Sequence, residues 1–354
     1  MTTTICTFNA NNLFVRYRFG QTFPGDMAGK SAVTDPASGY LPMYNPALFE
    51  LYNPSQRALT AKALSRDNSA ALPDVLCLQE IESLIALRKF NEDDLGSYYK
   101  RALLIDSRDF RQIDVAVLTN LDILSVRTHV DDRDPQAVNP EWPFMFSRDC
   151  LEVEVLLPAA RRLTLFVNHL KSKFVDSVNM TPAETAAAEK ACGEYRGRQA
   201  QAVIGLVHDR FPGQAFNKEL FAVVGDLNDT PNSDPLIGLC QNAGLEDALL
   251  RFPLEQDRWT NWYRGKNSVS QLDAMLLSPA LAAATAGTMP YVERRGISFD
   301  RTLSDGGPGP RQAHFYRKDG DPDPIDVDFR FQRLPGVGIK EYASDHCPVS
   351  LEIP

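Results

Sequence analysis

The sequence predicts an α+β fold built from packed layers, and three observations predict it. Short apolar runs of strand length recur along the whole 354-residue chain. They outnumber the helical stretches and do not alternate regularly with them, which favours α+β layers over a doubly wound parallel sheet. Several of these runs end abruptly in Asn, Gln-Glu, Asn-His, Asp or Asp-His, so polar chemistry collects at strand ends.

The strand-like runs are Ile5–Phe8, Val75–Leu78, Ala102–Ile105, Val115–Leu118, Leu151–Leu157, Leu163–Val167, Leu220–Val224, Leu272–Leu276 and Pro348–Ile353. Pro46 to about Arg66 has apolar residues at helical spacing, with Pro54 expected to break or restart it. Pro182 to Arg210 reads as one long helix starting at a proline, with an interruption expected at Gly193. Pro235 to Asn242 reads as a short helix capped by Ser233 or Asp234. No repeat or linker divides the chain. Residues 1–354 are read as a single domain carrying two long inserted loops, near 14–45 and 285–343, both rich in turn-forming residues.

Composition limits the function. Hydrophobic residues make up 44% of the chain and charged residues 23%, which excludes a disordered or collagen-like protein. The longest weakly polar run, around Ala280 to Met289, is far shorter than the roughly 20 apolar residues of a membrane span. A net charge of −9 argues against coating nucleic acid by bulk charge, but local basic patches or a metal can still bring in a polyanion. The six cysteines form no C-x-x-C pair and read as buried thiols. The chain enters its first strand at once, with neither a basic nor an apolar leader segment. The expected location is therefore cytoplasmic, or secreted or periplasmic if a leader has been removed. Nothing calls for a protein partner.

Each polar strand end has a structural as well as a chemical reading. Glu80 can cap the helix after it, Asp226-x-Asn228 can be an Asx turn bent at Gly225, and His169 can be a satisfied core histidine. Asp345-His346 can lie on the surface. Asp273, inside an apolar run, is harder to dismiss, because a buried carboxylate needs a partner. Taken together the six ends supply what hard-metal phosphoester chemistry uses. Carboxylate and amide oxygens suit Mg²⁺, and a histidine paired with a buried carboxylate can stabilise or protonate a phosphate oxygen. No clustered His or Cys set points to zinc.

The order Asn9-x-Asn11, Gln79-Glu80, Asn168-His169, Gly225-Asp-x-Asn228, Leu272-Asp273 and Ser344-Asp-His346 resembles the endonuclease/exonuclease/phosphatase superfamily, over residues 5 to 353. The resemblance implies a four-layered α/β sandwich, in which two mostly antiparallel sheets pack face to face with helices outside. It also implies a Mg²⁺-dependent phosphoesterase, with Mn²⁺ as a plausible substitute. By the same resemblance Glu80 is the principal metal ligand, supported by Asn11 and Asp345. Asp226 positions or deprotonates the attacking water, Asn228 orients phosphate or water, and Asn9 is a neighbouring site amide. His346 binds the scissile phosphate, oriented by Asp273, and His169 contacts the same phosphate.

Among branches of the family, Asp229-Thr-Pro231 departs from the Tyr-Arg that follows this motif in inositol phosphatases. The runs Val167–Lys173, Arg196-x-Arg198-Gln-Ala-Gln201 and Gly225–Asp234 are similar to bacterial extracellular nucleases. The expected activity is therefore a metal-dependent nuclease hydrolysing DNA first, with RNA second. The alternatives are a phosphatase of a small phosphorylated metabolite or lipid head group, and an inactive binding module on the same fold. Arg111 and Lys171 are candidate phosphate contacts. Between Arg294 and Lys318 six basic residues stand against two acidic ones, so Arg294 and Arg295 are expected to begin an arm that contacts flanking phosphates.

Overall fold

The computed structural model describes residues 2–17, 49–51, 54–65, 71–137, 139, 141–263, 268–297, 311–329, 334 and 342–354. Most of the predicted 14–45 loop, Arg301 and the Gly-Gly-Pro-Gly-Pro stretch lie outside the described residues.

The chain begins with β1 (Thr3–Leu13), β2 (Val15–Tyr17), β3 (Phe49–Leu51), α1 (Pro54–Leu64), β4 (Val75–Ile81) and α2 (Leu84–Asp93). It continues through β5 (Arg101–Leu104), β6 (Asp114–Thr119), β7 (Asp122–Arg127), β8 (Leu151–Leu156), β9 (Arg162–His169), α3 (Pro182–Arg210) and α4 (Ala215–Lys218). Next come β10 (Leu220–Asp226), α5 (Ile237–Cys240), β11 (Glu246–Asp247), β12 (Asn261–Tyr263), β13 (Ser268–Ser270), β14 (Asp273–Leu277) and α6 (Pro279–Ala284). The last strands are β15 (Tyr291–Val292), β16 (Arg311–Phe315), β17 (Ile325–Phe329) and β18 (Val349–Ile353).

Two six-stranded sheets form the middle of the molecule, in the orders β15-β18-β1-β4-β6-β5 and β11-β14-β10-β9-β8-β7. Each sheet has one parallel pair at its centre, β1 with β4 and β9 with β10, and antiparallel neighbours elsewhere. Alternate residues of both sheets, such as Ile5, Val75, Val117, Val153, Leu165, Val224, Met275 and Leu351, share one buried cluster between them. The intervening residues face outward and are covered in turn. Phe8, Leu76 and Leu78 pack with Leu59 of α1 and Leu87 and Phe90 of α2. Phe166, Phe221 and Leu276 pack with Ala200, Val203 and Val207 of α3. The layers are thus helix, sheet, sheet, helix. Strands buried on both faces are nearly continuous apolar runs, which is why they stand out in the sequence.

Four local expectations change. α3 runs unbroken past Gly193, since one glycine inside a 29-residue helix lowers its stability without ending it. The helix after Pro235 shortens to Ile237–Cys240 without a side-chain cap. α2 is capped by Ser83, whose Oγ accepts from Ala86 N at 3.2 Å, and this leaves Glu80 without a capping role. The predicted 285–343 loop contributes β15 to the first sheet and β16 and β17 to a four-stranded sheet ordered β12-β13-β16-β17. Among the described residues, no helix is long and apolar enough to cross a membrane.

Candidate active site

Sheet register brings the polar strand ends together. In the second sheet Asp226, the last residue of β10, lies opposite His169 of parallel β9 and opposite Asp273 of antiparallel β14. In the first sheet Asn9 of β1 lies opposite Gln79 of β4, one residue before Glu80. β18 runs antiparallel to β1, so the turn before it, Ser344-Asp345-His346, reaches the same end. A direct bond joins the two sheets there, and a second, within the first sheet, steadies its donor. Asn9 Nδ2 donates to Asp226 Oδ2 at 3.0 Å, and Ser344 Oγ donates to Asn9 O at 2.8 Å.

The backbone at this end is unusual. Asn11, Asn12, Glu80 and Asn228 all have left-handed φ, at 51°, 67°, 63° and 56°. Asparagine tolerates that region, whereas Glu80 adopts it at a cost that the surrounding structure must offset. The register also slips within β1 and β4 between Asn9 and Leu13, and between Leu78 and Ile81. Such bulges re-aim side chains. Gly225 has φ 131°, and a Cβ there would stand 2.0 Å from Asn168 O, so only glycine allows β9 and β10 to approach.

Around Asp226 the network is dense. Its Oδ1 accepts from Asn228 N at 2.7 Å, while Asn228 Nδ2 donates to Leu170 O at 3.0 Å. His169 Nε2 and His346 Nε2 stand 3.5 and 3.7 Å from Asp226 Oδ2. His346 Nδ1 lies 2.9 Å from Asp273 Oδ2, and Asp273 N donates to Thr260 Oγ1 at 3.0 Å. His169, Asp226, Asp273 and His346 are all buried.

Their proton affinities diverge. Burial, reinforced by Asp273, pushes the Asp226 carboxyl up to about 6, against the pull of His346 and its hydrogen bonds from Asn228 and Asn9. Burial pulls the His346 imidazole down, but Asp273 and Asp226 outweigh it and hold the ring well above the ordinary histidine value. Burial sends His169 the other way, well below that value, helped by nearby Arg148 and His346. Two histidines, one neutral and one cationic at neutral pH, thus flank one carboxylate. Groups pushed apart in this way mark acid–base and charge-stabilising roles.

Glu80 lies beside this network and is half-buried. Its Oε2 is 3.8 Å from Arg111 Nη2, and its Oε1 is 3.9 Å from His169 Nε2. Burial and the like charge of Asp345 raise its carboxyl, against the pull of Arg111, so the position favours an added cation. Asp345 lies near enough to Glu80 for its charge to act on it, while the expected third ligand, Asn11, has its Oδ1 accepting from Asn12 Nδ2 at 2.9 Å. Asp226, Asp273 and His346 also bring ligand atoms within 4.8 Å of one another. There, however, Asp273 Oδ2 is engaged with His346 and Asp226 Oδ2 with Asn9, as in an orienting hydrogen-bond chain.

The remaining candidates separate. Arg111 Nη2 donates to Asn12 Oδ1 at 2.9 Å beside Glu80. Lys171 Nζ bonds Ser172 O at 3.3 Å, while its backbone is held by Gln199 and Arg196 of α3. Arg294 does not begin a free arm. Its guanidinium lies 4.5 Å over the Trp259 ring and donates to the carbonyls of Asp257 and Trp259. Arg295 is paired with Glu293. Both cations are engaged in holding the segment ahead of β16, and charge counting cannot reveal such partners.

Sequence reasoning missed one buried arginine, Arg148, and quoted another, Arg196, without a role. Arg148 Nη1 donates to Leu170 O at 2.9 Å and its Nε stands 3.0 Å from Asp109, which sets a fixed positive charge near His169 and Glu80. Arg196 donates to Asp229 Oδ2 from Nε at 3.1 Å and Nη2 at 2.6 Å, and to Lys171 O from Nη1 at 2.8 Å. It ties the loop after His169 to the loop after Asn228. The Asp229 departure was the available signal for it.

The family model for the endonuclease/exonuclease/phosphatase family matches residues 6–346. No curated protein sequence matches the chain at a significant level. Solved structures with a similar fold include SmcL, at TM-score 0.55 and 13% identity over 100% of this chain and 99% of that one. An endonuclease/exonuclease/phosphatase family protein from Bacteroides thetaiotaomicron gives TM-score 0.51 and 14% identity over 100% and 98%. Sphingomyelinase C from Streptomyces griseocarneus gives 0.50 and 13% over the whole of both chains. With its two-sheet sandwich and convergent strand ends, the chain belongs to the endonuclease/exonuclease/phosphatase family, whose members are hydrolases of phosphoesters.

Proposed function

We propose that the protein is a Mg²⁺-dependent phosphodiesterase that hydrolyses nucleic acid, DNA first and RNA second. One observation carries the reading: Asp226, poised near pH 6, stands between a neutral His169 and a cationic His346 fixed by Asp273. Such a trio can take a proton from water, contact a phosphate oxygen and offset the negative charge that develops on it.

Glu80, Asn11 and Asp345 would hold the cation, which when bound polarises the phosphate and screens its charge. Water attacks phosphorus as Asp226 accepts its proton, and the bond to the leaving ester oxygen breaks, that oxygen departing with the bonding pair and taking a proton from solvent. Asn9 and the Asn228 amide fix the two carboxylate oxygens of Asp226, so its reacting lone pair is aimed before substrate arrives. His346 presents Nε2 to the phosphate while Nδ1 is held by Asp273. His169 brings a neutral ring to the same phosphate.

Nucleic acid is favoured over an inositol phosphate by the Asp229 network. Where inositol phosphatases carry Tyr-Arg, this chain uses Asp229 to receive Arg196 and Lys173, the latter at 2.6 Å. The test offers the purified protein supercoiled plasmid, single-stranded DNA, RNA, sphingomyelin and a panel of phosphomonoesters, with Mg²⁺ or EDTA. Nicking or degradation of nucleic acid with Mg²⁺ alone is expected. Exclusive turnover of a phosphomonoester or of sphingomyelin would replace this reading.

A further inference from the structure

We propose that Phe110 and Trp142 form a stacking platform for an unpaired nucleobase of the strand being cut, an inference that rests on the nuclease reading of the site. Phe110, in the turn between β5 and β6, is 90% exposed. A large ring left so open on a turn buries little area on folding. Its ring centroid lies 5.0 Å from that of Trp142, tilted by 38°.

Trp142 is held firmly behind it. The Trp142 ring packs edge-on against Phe144 at 5.9 Å, and its Nε1 donates to Tyr195 Oη at 3.3 Å. Tyr195 in turn donates to Phe144 O at 2.9 Å. Arg108 places its guanidinium 4.0 Å from the centre of the Phe144 ring. The platform is therefore backed by fixed groups, while the face of Phe110 remains open.

Its place relative to the chemistry is set by the next residue. Arg111 bonds Asn12 at 2.9 Å and stands 3.8 Å from Glu80, so Phe110 is one residue removed from a side chain at the candidate metal ligand. Aromatic faces flanked by guanidinium groups bind bases of any identity, because every base has a π-face. In a duplex those faces are already stacked, so the platform selects unpaired segments or strand ends. A bilayer fits less well. Asp106 and Asp109 share the loop with Phe110, and Asp131 and Asp132 carry exposed carboxylates on the facing segment. Such groups resist transfer to a lipid interface.

The chain has three tryptophans, and Trp259 and Trp262 are buried, so quenching of emission by a titrated oligonucleotide reports Trp142. In EDTA, single-stranded oligothymidylate should quench the wild type. Phe110→Ala should raise Kd about tenfold, the size of one lost stacking contact, and Phe110→Trp should restore it. Duplex affinity should change by less than about twofold. If the wild type cleaves oligothymidylate while Phe110→Ala binds it normally, the platform is refuted and the nuclease reading stands. If the wild type hydrolyses bis(p-nitrophenyl) phosphate but neither binds nor cuts nucleic acid, both fall. Co-sedimentation with sphingomyelin vesicles that is lost in Phe110→Ala would then assign the patch to a membrane.

Discussion

At the scale of single residues, the site is organised by where protons rest. Asp226 is held near 6, so kcat/KM should fall as pH drops below about 6 and its carboxylate protonates. His346 owes its charge to Asp273 and Asp226, which outweigh its burial. Asp273→Asn should lower activity by about 10²- to 10⁴-fold and move the alkaline limb of the pH–rate profile to lower pH. An unchanged rate and profile would make Asp273 purely structural. Stability should move oppositely at Asp226. Its raised pKa means that the ionised form opposes folding above about pH 6, and that this cost disappears as pH falls toward the unfolded value near 4. In EDTA at pH 8, Asp226→Asn should therefore raise Tm by a few degrees, with the gain gone at pH 4. Asp226, Asp273 and His346 were legible because polar residues interrupt apolar runs there. Arg148 was not, since nothing local distinguishes a buried arginine from a surface one until its partners, Asp109 and Leu170 O, come from elsewhere in the chain.

At the scale of elements, two devices aim the side chains. The first is the close approach of β9 and β10 at Gly225. Gly225→Ala combines a φ of 131° with a Cβ 2.0 Å from Asn168 O, so the ends of both strands must shift. Activity should be abolished, and circular dichroism should show a less stable fold, costing about 3 kcal/mol or more. The second is α3, whose start is fixed by the Thr181–Glu184 capping box and whose Arg196 clamps the loops after His169 and Asn228. Arg196→Met leaves Asp229 with Lys173 as its remaining cation, and chemical denaturation should register a loss of about 3–5 kcal/mol. A loss below about 1 kcal/mol would show that Lys173 suffices. The long helix and the doubly buried strands were readable because each is a sustained pattern. β2, β3, β12 and β15 are two or three residues long and exist through their pairing, which a local pattern does not encode. β16 and β17 do carry alternation, at Ala313 and Phe315 and again at Ile325 and Val327, but the surrounding charges and glycines obscured it.

At the scale of the molecule, the two sheets share one plan: a central parallel pair flanked by antiparallel strands. Parallel strands place their C-terminal ends at the same edge, and antiparallel partners bring their N-terminal ends there. Six polar strand ends scattered from Asn9 to His346 thus meet at one rim, as their order in the sequence implied. The interplay of the two sheets also explains a division of labour, with Glu80 and Asn11 contributed by the first and Asp226, His169 and Asp273 by the second. That division is tested by titrating Mg²⁺ against the rate of phosphodiester hydrolysis for the wild type, Glu80→Gln and Asp226→Asn. The account predicts that Glu80→Gln needs at least about tenfold more Mg²⁺ and then recovers much of its rate, whereas Asp226→Asn keeps the wild-type midpoint with kcat lowered about 10²-fold or more. Identical responses of the two variants to Mg²⁺ would contradict it.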